Sequence, residues 1–469
     1  MKKDYEPYKR MVRFLFSAVL IGLEVMVYGH VWLKYYNGFM EFPYNRTGNW
    51  LIMAVYGILL LVFSAIYGGL RIGYLRIFNI IYSQVLTSFC TNIIIYLQIT
   101  LLTKHFQNPV PLLAMTGVEG VWITVWSVIC TQIYLRIYPP RKVVLVYGEH
   151  PVYSLMVKLY GRADRYDIKE LVHISKGMDV IKEKVKQYEG VILCDIPSQM
   201  RNQLLKYCYN ESIRTYMVPK ISDIIIRSAE NLHLFDTPLM LARNTGLSFE
   251  QQFIKRTFDI IIAVCALVVL SPIYLVTAAC IKLYDRGPVI FKQKRYTKDA
   301  KIFDIYKFRS MIVNAEAAGT SVPAADRDPR ITPVGRVIRA LRIDELPQFI
   351  NILKGEMSVV GPRPERVEHV ELYTKDIPEF VYRLKVKGGL TGYAQVYGKY
   401  NTTAYDKLKL DLMYIQNYSI WLDIEIIFKT IKILLIKEST EGFSEEQAAA
   451  ITKECGDLTE TMEEKDRKL

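Results

Sequence analysis

Four long runs of apolar residues fill the first third of the chain, and short polar connections separate them. Each run is about as long as the roughly 20 residues that a helix needs to cross a bilayer. The pattern therefore predicts a four-helix transmembrane region within residues 1–140, with spans at Val12–Leu33, Trp50–Leu70, Ile77–Leu102 and Leu112–Ile137.

Lysine and arginine are concentrated on one side of these runs. Nine cations lie before the first run, between the second and third, or just after the fourth, whereas the other two connections hold three between them. Because cytoplasmic loops carry the excess of cations, we expect the N-terminus and the chain after Ile137 in the cytoplasm. Glu24, inside the first run, is expected to face a neighbouring helix or a partner protomer.

From Arg141 the pattern becomes that of a soluble α/β domain. Four short runs rich in branched residues alternate with helical segments, which predicts a Rossmann-like domain with a parallel sheet over residues 141–245. The first turn keeps Gly148 but lacks the later glycines of a dinucleotide-binding turn, and Pro151 removes an amide. We therefore expect a structural or regulatory module there.

A fifth apolar segment, Phe258–Leu283, could cross the bilayer, but Ser271 and Pro272 lie near its centre. Proline costs about 3 kcal/mol inside a straight helix, and the serine hydroxyl can bind a carbonyl that the break leaves free. Cations flank both ends, and four earlier spans return the chain to the cytoplasm. These features favour a re-entrant helix over a kinked span, with Lys255 and Arg256 as interfacial cations.

The composition limits the partners. Hydrophobic residues make up 51% of the 469 residues, and the formal net charge is +13. Nucleic acid is the weakest of the anionic partners, because zinc-finger spacing and aromatic–basic RNA signatures are missing. An anionic membrane surface and a phosphorylated substrate remain open. The seven cysteines form no CxxC pair and are expected to be reduced thiols, and the acidic stretch 438–469 is expected to be a flexible tail.

The densest chemistry lies in residues 328–365, where an arginine row precedes two adjacent carboxylates. Arginines spaced three apart share one helix face, and a new helix is expected to begin near the carboxylates. Amides at a helix start, together with arginines, attract phosphate. Surface ion pairs on an amphipathic helix are the alternative. The residues are Arg336, Arg339, Arg342, Asp344 and Glu345.

A glycine-rich loop and further cations strengthen the phosphate interpretation. Glycines flanked by lysines let backbone amides approach an anion closely. Together these residues fit a polyphosphate substrate with a divalent metal better than a neutral substrate. The loop contains Gly388, Gly389, Gly392 and Gly398, and the cations include Lys292, Lys294, Arg295, Lys307, Arg309 and Arg363.

The motifs, taken in order, resemble the bacterial sugar transferase family of polyprenyl-phosphate phosphoglycosyl transferases. They are "KRTFD", the "SP" break, "GPVIFKQKR", "YKFRSM", "DPRITPVGRVIR", "IDELPQFINILKGEMSVVGPRPE" and "GGLTGYAQV", within about residues 255–430. Four spans and a Rossmann-like domain before them resemble the large polytopic subclass. The resemblance implies that residues 246–437 form a re-entrant helix with a mixed α/β monotopic catalytic domain.

The resemblance also implies a reaction. Asp344 would attack the sugar-proximal phosphorus of a UDP-sugar and form a phosphosugar-aspartate, which a polyprenyl phosphate then attacks, and UMP leaves. Glu345 would hold Mg²⁺ beside this catalytic aspartate. Further residues implied in substrate or phosphate binding are Lys307, Arg309, Arg336, Arg339, Arg363, Gln395 and Asp411.

The family setting adds several expectations. The protein would lie in the bacterial inner membrane with its site on the cytoplasmic face, form a homodimer and start exopolysaccharide, capsule or O-antigen assembly. Gly388 and Ala394 depart from the family pattern, which leaves the sugar open. The segment Ser419–Lys437 is expected either to lie on the bilayer or to pack in the core. Two alternatives remain, a membrane-anchored glycosyltransferase that releases UDP and a non-catalytic scaffold.

Overall fold

The computed structural model describes residues 6–148, 152–242, 246–313, 328–398 and 402–435, so the expectations for Pro151 and for the tail 438–469 lie outside it. The chain divides into two compact units, one ending at Val218 and the other starting at Pro219. This division differs from the predicted boundary at residue 245. The residues after Pro219 join the second unit because Ile221 and Ile224 are buried in its core.

Among the described residues, four helices are long and apolar enough to cross a membrane, as predicted. Glu24 is 4% exposed and faces the interior of the bundle rather than lipid. A second buried carboxylate, Glu119, accepts hydrogen bonds from the hydroxyl of Tyr56 at 2.7 Å and from the amide of Asn92 at 2.8 Å. The four helices are α1 (Lys9–Val31), α2 (Arg46–Tyr67), α3 (Ile77–Thr103) and α4 (Val110–Ile137).

A four-stranded parallel sheet in the order β2-β1-β3-β4 follows, which confirms the predicted α/β domain. Alternate residues of β1 face opposite sides of the sheet. Val144 and Val146 join one buried cluster and Val143 and Leu145 the other, so the whole strand is apolar. The elements are β1 (Arg141–Tyr147), α5 (Tyr153–Tyr160), β2 (Tyr166–His173), α6 (Met178–Lys186), β3 (Gly190–Cys194), α7 (Ser198–Asn210) and β4 (Arg214–Met217).

The fifth apolar segment forms two helices, α9 (Phe249–Val269) and α10 (Ser271–Asp285), which are bent by 61° at the break. The hydroxyl of Ser271 donates a 2.8 Å hydrogen bond to the carbonyl of Val268. The predicted break, and the role of the serine in satisfying a carbonyl there, are therefore confirmed.

Much of the rest of the second unit packs around one main core. Ile352, Phe380 and Leu408 are fully buried at its centre. Strands β5 and β6 pair antiparallel, as do β7 and β8, whereas β9 and β10 are parallel. The elements are α8 (Ile221–Arg227), β5 (Glu230–Leu234), β6 (Thr237–Leu241), β7 (Ile290–Tyr296), β8 (Ile302–Phe308), α11 (Pro333–Ala340), α12 (Gln348–Lys354), β9 (Ser358–Val360), α13 (Val367–Asp376), β10 (Gly389–Thr391), α14 (Tyr393–Tyr397), α15 (Ala404–Gln416) and α16 (Ile420–Leu435).

Two details of this unit test what the sequence predicted for α16 and for the arginine row of α11. Ile426 on α16 is fully buried in the core, which favours core packing for this helix over a position on the bilayer. Helix α11 ends at Ala340, and Arg342 has a φ of 57°. A left-handed backbone ends a helix, so the prediction that Arg342 shares a helix face with Arg336 and Arg339 is wrong.

Candidate active site

The adjacent carboxylates Asp344 and Glu345 lie in a single 3-10 turn, Ile343–Glu345, between α11 and α12. The helix that the sequence predicts near Asp344 thus begins as this turn and continues as α12 from Gln348. The hydroxyl of Tyr274, on α10, donates to the carbonyl of Leu346 directly after the turn. The carboxylates are therefore tied to the bent helix pair.

Glu345 is held by cations from two other elements. Its Oε1 atom accepts a 3.0 Å hydrogen bond from Lys307 of β8 and a 2.7 Å hydrogen bond from Arg363, which follows β9. Arg342 lies 4.0 Å from the same oxygen. Burial acts to raise the pKa of Glu345, but Arg363 and Lys307 outweigh it and hold the pKa well below its usual range. Glu345 is a firmly ionised carboxylate.

Asp344 has a different environment, although it is the next residue. Its Oδ2 atom lies 3.9 Å from the Nζ atom of Lys307, and its side chain is 13% exposed. Burial raises the pKa of Asp344 above its ordinary value, and Lys307 opposes this shift only in part. A carboxylate that is partly desolvated and weakly paired is a better nucleophile than one bound by several cations.

A buried network positions the loop that carries Arg363. Arg383 donates a 2.9 Å hydrogen bond to the carbonyl of Arg363 and forms a 2.7 Å ion pair with Asp411. Burial acts to raise the pKa of Glu365, but Arg383 and Lys407 hold it at about 2. The charges of this network are paired, so the loop is fixed before any substrate binds.

The structure brings only some of the predicted phosphate-binding residues to the carboxylates. Lys307 and Arg363 contact them, and the charge of Arg339 acts to lower the pKa of Asp344. Arg336 is exposed one turn earlier on α11, without a hydrogen bond or ion pair to either carboxylate among the described residues. Asp411 is 1% exposed and pairs with Arg383, so it supports the site indirectly, through the arginine that holds the Arg363 loop.

Arg309 and Gln395 lie in other surroundings. Arg309 is buried and forms an ion pair with Asp285, at the end of α10. A Cβ atom at Gly287 would come within 1.8 Å of Nη1 of Arg309, so this glycine lets the guanidinium approach the chain. Gln395 donates a 3.3 Å hydrogen bond to the carbonyl of Leu390. Their phosphate-binding roles remain predictions.

Lys255 and Arg256 interact with the protein itself. Lys255 is buried, and its Nζ atom lies 2.6 Å from Oδ2 of Asp423. Arg256 donates hydrogen bonds of 2.5 and 2.7 Å to the carbonyls of Ile352 and Leu353, where a cation complements the end of α12. The interfacial role expected for Lys255 is wrong, because its ammonium lies in a buried ion pair that the local sequence does not reveal.

Three residues with structural roles at the site were missed by the sequence reasoning. Arg383 supports the Arg363 loop, and Asp259 accepts hydrogen bonds from the hydroxyl and the amide at the start of β9. Asn351 joins α12 to β8 by accepting from the amide of Tyr306 at 2.9 Å. Asp259 and Asn351 had a signal, since both lie in quoted motifs, "KRTFD" and "IDELPQFINILKGEMSVVGPRPE", whereas Arg383 lies outside every quoted motif.

Comparison with known proteins agrees with this site. A family model described as "Bacterial sugar transferase" matches residues 250–437, which include α9, α10 and both carboxylates. A UDP-glucose:undecaprenyl-phosphate glucose-1-phosphate transferase of Caulobacter vibrioides is 39% identical over 191 residues, 39% of this chain and 71% of the relative. The chain belongs to the bacterial sugar transferase family. The expectation from the sequence motifs is thereby confirmed.

Longer relatives from this family differ in the sugars that they are named for. A UDP-N-acetylgalactosamine-undecaprenyl-phosphate N-acetylgalactosaminephosphotransferase of Aeromonas hydrophila is 44% identical over 236 residues, 50% of this chain and 55% of the relative. A UDP-glucose:undecaprenyl-phosphate glucose-1-phosphate transferase of Escherichia coli K12 is 40% identical over 249 residues, 52% of this chain and 53% of the relative. The chain thus spans about half the length of these two proteins.

Proposed function

We propose that this protein transfers a sugar 1-phosphate from a UDP-sugar to undecaprenyl phosphate and so performs the first membrane step of polysaccharide assembly. The contrast between Asp344 and Glu345 is the observation that carries the proposal. One carboxylate is held by cations, and its neighbour is desolvated and weakly paired. Adjacent carboxylates with opposite pKa shifts are typical of a division of chemical roles. The names of the relatives support the same reaction.

In the first step an oxygen of Asp344 attacks the sugar-proximal phosphorus of the UDP-sugar. A bond forms between this oxygen and phosphorus, and the bond from that phosphorus to the bridging oxygen breaks. UMP leaves with the electron pair. Lys307 and Arg363, with Arg339 nearby, provide positive charge for the phosphate oxygens as charge moves to the leaving group.

In the second step an oxygen of undecaprenyl phosphate attacks the phosphosugar-aspartate. The new bond joins the two phosphorus atoms through oxygen, and the bond to Asp344 breaks. The products are undecaprenyl diphosphate sugar and the free carboxylate. A covalent intermediate divides one difficult transfer into two easier ones and lets the two substrates use the same cations in turn.

The residues present fit a Mg²⁺ ion that binds together with substrate. The hydrogen bonds from Lys307 and Arg363 both go to Oε1 of Glu345, so Oε2 remains as a hard oxygen ligand. Groups of three metal-ligating side chains are missing among the described residues. Mg²⁺ often binds through one or two carboxylates together with substrate phosphates and water. Bound there, it would neutralise charge on the diphosphate.

We also propose that α9 and α10 enter the membrane and return on the cytoplasmic side. Asp259 of α9 binds the start of β9, and Ile281 of α10 packs with Phe308 and Ile338. Both arms therefore contact the same α/β unit, which supports a return to the same side. The residues near the break are apolar and exposed, as a bilayer-facing apex requires: Val268, Val269, Ile273, Leu275 and Val276.

We propose a homodimer in the bacterial inner membrane with its site on the cytoplasmic face. The nine cations at the cytoplasmic ends of the spans support the orientation. The β5–β6 hairpin supports self-association, because all of its residues are exposed and many are apolar. Phe235 at its tip is 95% exposed. Mass photometry of the protein in nanodiscs tests this state, and a single-protomer mass would contradict it.

Nucleotide analysis tests the reaction. The purified protein is incubated with undecaprenyl phosphate, Mg²⁺ and a panel of UDP-hexoses and UDP-N-acetylhexosamines, and the released nucleotide is identified. UMP supports the proposed reaction, and the best donor identifies the sugar. UDP would instead support a glycosyltransferase that moves the sugar without its phosphate. Release of neither nucleotide with any donor would support a non-catalytic scaffold.

A further inference from the structure

The first unit contains a cavity of about 400 Å³ that the proposed reaction does not use. It lies between the start of α1, the turn before α3, the end of α4 and the first residues of β1, β2 and β4. All its walls belong to this unit, and all of them are on the side that carries the excess of cations. It therefore lies where membrane helices meet the cytoplasmic domain.

The walls of the cavity carry a large excess of positive charge. Six cations line it against two carboxylates, Glu6 and Asp164. Glu6 forms ion pairs with three of these cations. Asp164 forms an ion pair with Arg162, which does not line the cavity. The six cations are Lys9, Arg10, Arg13, Arg141, Arg165 and Arg214.

Among the described residues, three of these cations form no ion pair with a carboxylate, although the charge of Arg165 acts on Asp164: Arg10, Arg13 and Arg165. Positive groups that outnumber the carboxylates in a cavity repel one another, and a bound anion relieves that repulsion. A multivalent oxyanion such as phosphate suits guanidinium groups best, since each can donate two parallel hydrogen bonds. The charge of the cavity therefore suits a phosphate-bearing ligand.

Tyr74 fixes two of these arginines in place. The guanidinium groups of Arg13 and Arg165 lie 4.8 and 4.6 Å from the centre of its ring. A hydrogen bond from Arg13 and the charges of both arginines lower the pKa of the Tyr74 phenol, against the effect of burial. Gly73 has a φ of 76°, and a Cβ atom there would come within 2.1 Å of the Tyr134 ring. The turn that presents Tyr74 thus requires glycine.

A second cavity, of about 560 Å³, adjoins the first. The two share Arg10, Arg13 and Tyr74 as walls. The walls of the second also include Ser17 and Arg71, and its apolar part extends along α1 over Phe14 and past Leu70, toward the part of the helix that lies in the membrane. A polar compartment with phosphate-binding cations, joined to an apolar groove, has the shape of a lipid headgroup and its chain.

We propose that these joined cavities bind a membrane lipid with a phosphate headgroup. The phosphate lies among Arg10, Arg13 and Arg165, and the start of the chain lies against Phe14 and Leu70. A soluble phosphate compound could use the cations but would gain nothing from the groove. The lipid would brace α1 against the α/β domain at their junction.

Lipid binding by the full-length protein in detergent micelles tests the site. Native mass spectrometry measures Kd for dioleoylphosphatidylglycerol and for undecaprenyl phosphate, with inorganic phosphate and UMP as soluble probes. In the variant Arg13→Gln/Arg165→Gln, we expect at least one lipid to bind about ten-fold or more weakly, because two charge-assisted contacts are lost. The lipid that responds identifies the source of the phosphate.

Arg136→Gln is the matched control, since Arg136 is an exposed cation at the end of α4 that lies outside both cavities. Equal weakening by this control would indicate a diffuse basic surface and overturn the proposal. Inorganic phosphate or UMP binding as tightly as both lipids, with the same dependence on Arg13 and Arg165, would overturn the lipid assignment.

The variant Arg13→Lys/Arg165→Lys separates binding from folding. It keeps the charges, so we expect it to recover much of the lipid affinity while its Tm stays close to that of Arg13→Gln/Arg165→Gln. If the lipid affinity of each variant follows only its Tm in the absence of added lipid, the arginines stabilise the fold and the site is not a lipid site.

Discussion

Arg363 donates a 2.7 Å hydrogen bond to Oε1 of Glu345, whereas the ion pair of Asp344, one residue earlier, with Lys307 is longer, at 3.9 Å. The consequence is a lowered pKa for Glu345 and a raised pKa for Asp344. One carboxylate is thereby suited to hold charge, and the other to react. Each part of this arrangement can be tested.

Removing the nucleophile should stop the reaction. For Asp344→Asn we expect UMP release to fall about 10⁴-fold or more and the covalent sugar-phosphate adduct to disappear, because an amide cannot replace the attacking carboxylate. Intact-protein mass spectrometry with a UDP-sugar and no acceptor detects the adduct. Glu371→Gln, an exposed change on α13, is the matched control. Normal turnover by Asp344→Asn would show that another residue attacks.

Lys307 should set the acidic limit of activity. Its charge lowers the pKa of Asp344, so Lys307→Gln should raise that pKa further. Asp344 must be ionised to attack, and activity is lost as the pH falls through its pKa. The acidic limb of the kcat/KM profile should therefore move to higher pH in Lys307→Gln, and much less in Lys307→Arg. A limb that stays at the wild-type pH in both variants would contradict the assigned coupling.

Glu345 should determine the metal requirement. EDTA should abolish UMP release by the wild-type protein, and added Mg²⁺ should restore it. Glu345→Gln removes an ionised oxygen ligand, so we expect it to need a higher Mg²⁺ concentration for half-maximal activity. An Mg²⁺ titration of initial rates measures this. Full wild-type activity in metal-free buffer would exclude the proposed metal role.

Asp411 should stabilise the fold rather than bind the substrate directly. Its ion pair with Arg383 is almost completely buried, and losing one partner of such a pair costs about 3–5 kcal/mol. Asp411→Asn should therefore lower Tm by several degrees, with Asp376→Asn on α13 as a control. Thermal unfolding in detergent measures the effect. An unchanged Tm with a raised KM for the UDP-sugar would instead place Asp411 in direct contact with substrate.

The two arms of the bent helix pair should be accessible from one side only. Single cysteines replace Gln252, in the first turn of α9, and Tyr284, in the last turn of α10, in a background without other cysteines. We expect both to react with an impermeant maleimide in inverted vesicles and neither to react in intact spheroplasts. Reaction on opposite sides would show that Phe258–Leu283 crosses the bilayer and would place the active site outside the cytoplasm.

Local patterns predicted most of the elements. Runs of apolar residues are sufficient to identify α1–α4 and the strands β1–β4, because length and branching alone distinguish membrane helices from buried strands. The break at Pro272 was also predictable, since proline acts on its own helix. The end of α11 at Ala340 was not, because nothing in the spacing of the arginines reveals the positive φ of Arg342.

The sequence by itself determined the membrane spans, the strands of the sheet, the helix break and the pair Asp344-Glu345, all of which depend on neighbours within a few residues. Only the tertiary structure decided which cations meet which carboxylates. Lys255 and Asp423 are 168 residues apart, and Arg383 and Asp411 are 28 apart. A charge on the chain is a property of one residue, whereas its partner and its burial depend on how distant elements pack. That packing raises the pKa of Asp344 and lowers that of Glu345.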